Sequence, residues 1–229
     1  MNKAFDAALK AFNRIDVVVN NAGYGLSGEF ESVSEAQSRK QMEVNFFGLL
    51  KCTRRAMKIM REHNKPSGGL IQQVTSIGGQ RGVPLFSIYC ASKWAVEGFT
   101  EAISKEVKPE WGIKFTCIEP GGFRTDWAGR SMEFGEQKEK AYDHLNAEET
   151  MGKRHGTQAG DPPKVCSSKQ SVGAHRGLTL FAGCESHVGA CKDGRPTTSL
   201  CSGKRCLGGD QQQDQRVRRV VPEVREDCL

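Results

Sequence analysis

The chain has 229 residues, enough for one domain with a substantial core or for one domain and an appendage. Its 33 basic and 27 acidic residues give a net charge of +6, and the two signs are interleaved, so the composition does not indicate a nucleic-acid partner. No run approaches the roughly 18 apolar residues of a membrane helix, and an amphipathic segment instead of a hydrophobic signal region follows Met1. We therefore expect a cytoplasmic protein without a membrane span.

The beginning of the chain alternates helical and strand patterns. Apolar residues recur at helical spacing in NKAFDAALKAFNR (2–14), and IDVVVN (15–20) is a continuous run typical of a buried parallel strand. A long helix is predicted from Ser34, its N-cap, to about residue 63. GLIQQVTS (69–76), bounded by glycines, is predicted as the second strand.

The same alternation continues to about residue 150. A helix is predicted over 88–107, with Pro109 as its stop, and IKFTCIEPGG (113–122) is predicted as a strand that enters a Pro-Gly turn. A loop and a helix are predicted over 126–150. Helices and strands that alternate with short connections indicate an α/β fold with a parallel sheet covered on both faces by helices.

Residues 161–229 have a different composition. They contain no Ile, Met, Tyr or Trp, and Phe181 is their only aromatic residue, so we expect a tail that is largely disordered after a domain of residues 1–160. Six cysteines lie in this tail without a C-x-x-C pair, and no metal site is predicted. A reading-frame shift or a retained intron would leave the same abrupt change.

A tyrosine and a lysine in SIYCASKWAV (87–96) are spaced for chemistry. Tyr89 and Lys93 are four residues apart in a predicted helix and therefore share a face, where the ammonium should lower the pKa of the phenol. Such a pair alone is more often ordinary surface. Four further motifs come in order at predicted strand ends or in adjoining helices, where open α/β sheets bind ligands: VVVNNAG (17–23), VNFFG (44–48), VTSIGG (74–79) and EPGGFRT (119–125).

With these motifs the sequence resembles the short-chain dehydrogenase/reductase family over about residues 2–150. It is most similar to the 17β-hydroxysteroid dehydrogenase-like branch, through NNAGYG, YCASKWAVEGFTEAI and IEPGGFRTDW. The resemblance implies a Rossmann-like doubly wound parallel sheet and an NAD(P)-dependent oxidoreductase that interconverts a small secondary alcohol and a ketone, with NADP favoured over NAD. It leaves open a homo-oligomer formed through helices 34–63 and 88–107.

The resemblance also implies roles for individual residues. Tyr89 would exchange a proton with the substrate oxygen, and Lys93 would lower the pKa of Tyr89 and hold the nicotinamide ribose. Ser76 would hydrogen-bond the substrate oxygen, and Asn45 would anchor a water of a proton relay. Besides Tyr89 and Lys93, the residues expected to contact the cofactor are Asn20, Ala22, Gly23, Pro120, Gly121, Phe123 and Thr125.

Both ends of the chain depart from the family pattern. The family begins with a strand and a glycine-rich T-G-x-x-x-G-x-G turn that cradles the pyrophosphate, and nothing like them precedes Asn20. We therefore expect a partial domain that lacks its first strands, with IDVVV as an exposed edge. A last helix and strand are not recognisable after residue 160. The alternative to an enzyme is a truncated, non-catalytic remnant that cannot bind the dinucleotide.

Overall fold

The structure, a computed structural model, describes residues 2–162, 179–182 and 217–220. Their helices and strands follow in this order: α1 Asn2–Phe12, β1 Val17–Asn20, β2 Gly25–Ser27, α2 Glu35–Met42, α3 Gly48–Glu62, β3 Gly69–Val74, α4 Ser87–Glu106, β4 Ile113–Ile118, β5 Met132–Phe134, α5 Ala147–Arg154, β6 Thr179–Ala182 and β7 Val217–Val220.

The main sheet has five strands in the order β6-β1-β3-β4-β7, and every pair in it is parallel. A second sheet pairs β2 with β5, also in parallel. The predicted α/β class with a parallel sheet is therefore confirmed. Since the strands run in one direction, the carboxyl ends of β1, β3 and β4 meet at one edge of the main sheet.

The core lies between the main sheet and three helices. Val18, Ile71 and Phe115 are aligned across β1, β3 and β4, and all three are buried in one cluster with residues of α1, α3 and α4. In β3 and β4 the residues of opposite parity, such as Lys114, point to the other face and are more exposed, whereas all four residues of β1 are buried. This alternation fixes which face of each strand the helices cover.

The long helical segment after Ser34 has two α-helices joined by a π-helical turn. Ser34 is its N-cap, as predicted, and its Oγ accepts a 3.2 Å hydrogen bond from Gln37 N while the Gln37 side chain bonds back to Ser34 N, which forms a capping box. Between α2 and α3, residues Glu43–Phe47 adopt the π conformation. A π turn shifts the side chains that follow it, and such turns recur at functional sites.

The last two strands correct an expectation. Residues 161–229 were predicted without a strand, yet β6 pairs with β1 from Val17↔Thr179 to Asn20↔Ala182, and β7 pairs with β4. The apolar strand β1 is therefore paired on both sides instead of forming an exposed edge. Neither TLFA nor VRRV alternates apolar and polar residues, so no period-2 pattern marked these strands. The rest of the tail predicted as disordered lies outside the described residues.

Two shorter strands were also absent from the prediction. β2 follows the turn after β1, and β5 lies within the 126–150 segment, where only a loop and a helix were expected. The helix of that segment begins at its end, as α5. Among the helices of the described residues, none is both long and apolar enough to cross a membrane.

Asn64 joins the end of α3 to the start of β1, and its replacement should destabilise the fold. Its buried amide accepts from Ile15 N at 3.1 Å and donates to Ile15 O and Gly68 O at 2.7 and 2.8 Å. Asn64→Ala leaves three buried backbone groups without this partner, so we expect the free energy of unfolding to fall by about 3 kcal/mol. Urea unfolding followed by circular dichroism measures it. His63→Ala, an exposed neighbour, is the matched control and should change little.

Candidate active site

A cavity of about 440 Å³ opens at the carboxyl ends of β1, β3 and β4. Eight of the residues predicted for the site line it: Gly23, Ser76, Tyr89, Lys93, Pro120, Gly121, Phe123 and Thr125. They come from three strand ends and from α4, and the fold brings them together from positions about 100 residues apart. The predicted location at the sheet edge is thus where the cavity lies.

The predicted pair on α4 points into this cavity from a buried position. Tyr89 is 8% exposed and Lys93 is 5% exposed. Lys93 Nζ lies 5.7 Å from the centroid of the Tyr89 ring and donates a 3.0 Å hydrogen bond to Val74 O, at the end of β3. The alternative of a solvent-facing pair is therefore excluded by the geometry.

The pKa of Tyr89 moves in the opposite direction to the sequence prediction. Burial raises it to about 12, and a hydrogen bond with the Ser76 side chain offsets only part of this increase. Burial also lowers the pKa of Lys93 to about 8, against a smaller opposing effect of Glu97. Desolvation disfavours both charged forms and is the largest cause of each shift, so Tyr89 is a neutral phenol at neutral pH. In this state its hydroxyl can donate a proton.

Ser76 follows β3 and begins a tight turn next to Tyr89. Its Oγ accepts a 3.1 Å hydrogen bond from Gly78 N, which caps the 3₁₀ turn Ile77–Gly79. A Cβ on Gly78 would lie 3.3 Å from Tyr89 Cε1, a tight contact that would displace the ring or the turn by a few tenths of an ångström. The turn therefore holds the serine hydroxyl beside the phenol.

Glu97 was not predicted for the site, although it lies one helical turn after Lys93. Its buried Oε1 accepts a 2.5 Å hydrogen bond from Thr75 Oγ1, in the residue before Ser76. The carboxylate also opposes the fall in the pKa of Lys93. Glu97 thus connects the helix that carries Tyr89 and Lys93 to the strand end that carries Ser76. Its spacing of four from Lys93 was the available signal.

Asn45 lies in the π turn and does not line the cavity, but it contacts the loop that contains Gly23, which does. Its Oδ1 accepts from Tyr24 N at 3.1 Å, and its Nδ2 donates to Tyr24 O at 3.1 Å and to Ser92 Oγ at 3.3 Å. A Cβ on Gly23 would lie 3.1 Å from Asn45 Oδ1 and 3.5 Å from Lys93 Nζ. Asn45 therefore fixes the loop that brings Gly23 next to the lysine, and the predicted water relay stays a prediction.

Two residues expected along the cofactor, Asn20 and Ala22, do not line the cavity. Asn20 lies on the helix-covered face of β1, where its Nδ2 donates to Thr53 Oγ1 at 3.0 Å and to Gln73 Oε1 at 2.8 Å. Ala22 is exposed. Asn21, which was not predicted, lines the cavity in their place. The strand alternation explains the difference, because Asn20 shares the parity of the core residue Val18.

The turn after β4 is held in place by the segment that follows α5. Phe123 forms a parallel bridge with Gly160, and Arg124 Nη1 donates to Gln158 O at 2.7 Å. The Thr125 side chain accepts a 3.3 Å hydrogen bond from Trp127 N and caps the next turn. These bonds fix the wall that contains Pro120 and Gly121.

An aromatic wall that the sequence analysis missed closes the other side. Trp127 stacks on Phe86 with ring centroids 6.2 Å apart and lies 5.6 Å from the Tyr89 ring. Met151 of α5 is buried in the same cluster. Their positions depend on tertiary packing of loops without a periodic pattern, so no local signal marked them. Among the described residues, no group of three or more His, Cys, Asp and Glu could hold a metal ion.

Comparisons with known proteins identify the family. The profile for short chain dehydrogenases matches residues 1–134, more than half of the chain, which therefore belongs to the short-chain dehydrogenase family. An uncharacterised oxidoreductase of Schizosaccharomyces pombe is 39% identical over 170 residues, 74% of this chain and 57% of the relative. An oxidoreductase of Penicillium decumbens is 43% identical over 130 residues, 56% of this chain and 43% of the relative. The chain thus spans about half the length of the curated relatives it matches.

Solved structures share the fold. A short-chain dehydrogenase from Streptomyces avermitilis is 35% identical, with a TM-score of 0.59 over 71% of this chain and 58% of that one. A gluconate 5-dehydrogenase from Burkholderia cenocepacia in complex with NADP and tartrate, and an NAD⁺-bound xylitol dehydrogenase, each have a TM-score of 0.51 at 24% identity. They cover 56% and 55% of this chain, respectively, and 48% of each of those chains. At 24% identity, the likeness to these two dehydrogenases shows the fold alone.

The buried charge of Lys93 should make stability depend on pH. Its pKa of about 8 is below the ordinary 10.5, so between these values the unfolded chain binds more protons and the folded chain gains stability as pH rises. We expect Lys93→Met to raise the free energy of unfolding at pH 7 by about 2 kcal/mol, with a smaller gain near pH 10. Urea unfolding at both pH values measures the two differences.

The control for this prediction is Lys105→Met, since Lys105 is 68% exposed and pairs with Glu101 on the surface. This variant should unfold like the wild type at both pH values. A Lys93→Met protein that is less stable than the wild type at pH 7 would contradict the proposed cost of the buried ammonium.

Proposed function

We propose that the chain carries the catalytic part of an NAD(P)-dependent oxidoreductase that interconverts a secondary alcohol and a ketone. The convergence of Ser76, Tyr89 and Lys93 on one cavity at the strand ends carries this proposal. Membership of the short-chain dehydrogenase family supports it. The finer assignment to the 17β-hydroxysteroid dehydrogenase-like branch stays a prediction, as does the partial nature of the domain.

In the proposed reduction, Tyr89 donates its phenolic proton to the substrate oxygen as the carbonyl becomes an alcohol. The raised pKa of Tyr89, about 12, keeps this proton on the phenol until the oxygen becomes basic. The Ser76 hydroxyl stabilises the developing negative charge. Lys93 in its charged form stabilises the phenolate that remains, and the proton is then replaced from solvent.

The residues of the cavity are suited to a nicotinamide cofactor. Gly23 leaves the backbone open beside Lys93 Nζ, and one of the three ammonium donors binds Val74 O, so the others can reach ribose hydroxyls. Asn21, Pro120, Gly121, Phe123 and Thr125 would form the remaining contacts. When bound, the nicotinamide ring would supply or accept the hydride.

Three further expectations remain proposals. The preference for NADP over NAD can be tested by comparing NADPH with NADH. A homo-oligomer would use the central helices, on which Val44, Phe47 and Trp94 are 37%, 44% and 51% exposed. The cytoplasm remains the proposed location.

Tyr89→Phe should abolish ketone reduction without loss of the fold. The variant keeps the ring but loses the proton donor, so we expect kcat for an aryl alkyl ketone with NADPH to fall at least about 100-fold. Oxidation of NADPH followed by absorbance measures the rate. Tyr142→Phe, a tyrosine outside the cavity, is the matched control and should keep the wild-type rate.

A titration of NADPH fluorescence with the 229-residue chain separates the enzyme from the non-catalytic alternative. Saturable binding that persists in Tyr89→Phe supports the proposal. A flat titration together with strong binding of a dye specific for exposed apolar surface would instead favour the remnant.

A further inference from the structure

The two ends of the cavity differ in chemistry. One end, near Gly23, Ser76 and Lys93, is polar and meets the strand ends, whereas the other is formed by Phe86, Trp127 and other apolar side chains. None of the described residues that line the cavity is Asp or Glu. Two cationic side chains do line it, Lys93 at the polar end and Arg154 beside the apolar end. The lining therefore favours an anion over a cation.

The packing of α5 places Arg154 at the apolar end. Arg154 is the last residue of α5 and lies three positions after Met151, so the two share a helical face. Met151 is buried in the cluster that contains Phe86 and Tyr89. Arg154 itself is exposed and also lines the cavity, which places this residue at the mouth, next to the apolar cluster that contains Met151.

Three ion pairs form on α5 and on segments of the chain that line the cavity or adjoin its lining. Lys153 Nζ pairs with Glu149 at 2.6 Å, and Arg124 Nη2 pairs with Asp161 at 3.1 Å. Asp126 pairs with Arg130. Within the described part of the chain, Arg154 takes part in no ion pair, although it lines the cavity. A guanidinium in this position is suited to a carboxylate or a phosphate, which it can bind through two parallel N–H groups.

From this arrangement we infer that the substrate is an apolar ketone or alcohol that carries an anionic group, with Arg154 as the residue that selects the anion. The inference rests on the proposed function, since it names the substrate class of the same site. The apolar body would pack on Phe86 and Trp127, the reacting oxygen would reach Ser76 and Tyr89, and the anion would meet Arg154. Arg154 acts in recognition and takes no part in the proton transfer.

The position of Arg154 assigns it to the substrate and not to the cofactor. The residues proposed to hold the cofactor ribose, Lys93 and Gly23, lie next to Asn45 and Val74, on the polar side. Arg154 lies one helical turn after Met151, and Met151 packs in the apolar cluster with Phe86. Arg154 is therefore on the side of the aromatic wall. A variant of Arg154 should therefore change the affinity for an anionic substrate and leave the affinity for NADPH unchanged.

The test compares benzoylpropionate, benzoylbutyrate and benzoylvalerate with their methyl esters, which have the same ketone and no charge. For at least one acid we expect kcat/KM to exceed that of its ester by about tenfold in the wild type. In Arg154→Gln this ratio should fall to about one through a higher KM for the acid, while the ester is reduced at the wild-type rate. Arg154→Lys should keep part of the ratio.

Lys153→Gln is the matched control, because its side chain belongs to the same helix turn but does not line the cavity. It should keep the wild-type ratio of acid to ester. A ratio near one in the wild type for all three pairs would overturn the inference. A ratio unchanged in Arg154→Gln would overturn the role of Arg154, and a raised KM for NADPH in that variant would reassign the residue to the cofactor.

Calorimetric titration of the same acids and esters distinguishes failure of this inference from failure of the proposed function. If no ketone is reduced but an acid binds about tenfold more tightly than its ester in the wild type only, the site recognises anions and the oxidoreductase proposal fails. If esters and acids are reduced equally well and bind equally well, the oxidoreductase proposal stands and the anion inference fails.

Discussion

Lys93 of α4 is only 5% exposed, and its Nζ donates a 3.0 Å hydrogen bond to Val74 O at the end of β3. Removing an ammonium from water costs several kcal/mol unless other groups replace the water. Here a backbone carbonyl, the Glu97 carboxylate and the Tyr89 ring share that role. Because these partners belong to a strand and a helix, the solvation of this one charge links α4 to the end of β3.

The same burial determines what Tyr89 can do. The environment that lowers the pKa of Lys93 to about 8 also raises that of Tyr89 to about 12, so each group is pushed towards its neutral form. A tyrosine in this state is an acid first, and a base only after it has given up its proton. A neutral phenol can supply a proton to an oxygen that becomes strongly basic, which is the role proposed for Tyr89 in the reduction.

Much of the fold could be read from local patterns, because periodicity and capping residues act within one element. Ser34 and the stop near residue 107 are examples. Strands β6 and β7 could not be found, since neither TLFA nor VRRV carries a periodic pattern, and their pairing depends on the sheet edges that β1 and β4 offer. For the site, the motifs predicted eight residues that line the cavity, and they also named Asn20, Ala22 and Asn45, which do not line it. The motifs could not predict whether the pKa of Tyr89 would be raised or lowered. This shift depends on burial, to which residues distant in sequence such as Trp127 contribute.

The segments that line the cavity differ in how far they lie from a strand of the main sheet. Gly23 and Ser76 lie within three residues of the end of a main-sheet strand, so the sheet holds them in the way that a reaction with closely placed atoms would need. Trp127 and Arg154 lie further from any strand of the main sheet, on segments that pack over the cavity. A change in those segments would alter the shape and charge of the cavity without replacing a residue at the strand ends. In the proposed function, substrate recognition could therefore vary while Ser76, Tyr89 and Lys93 keep their roles.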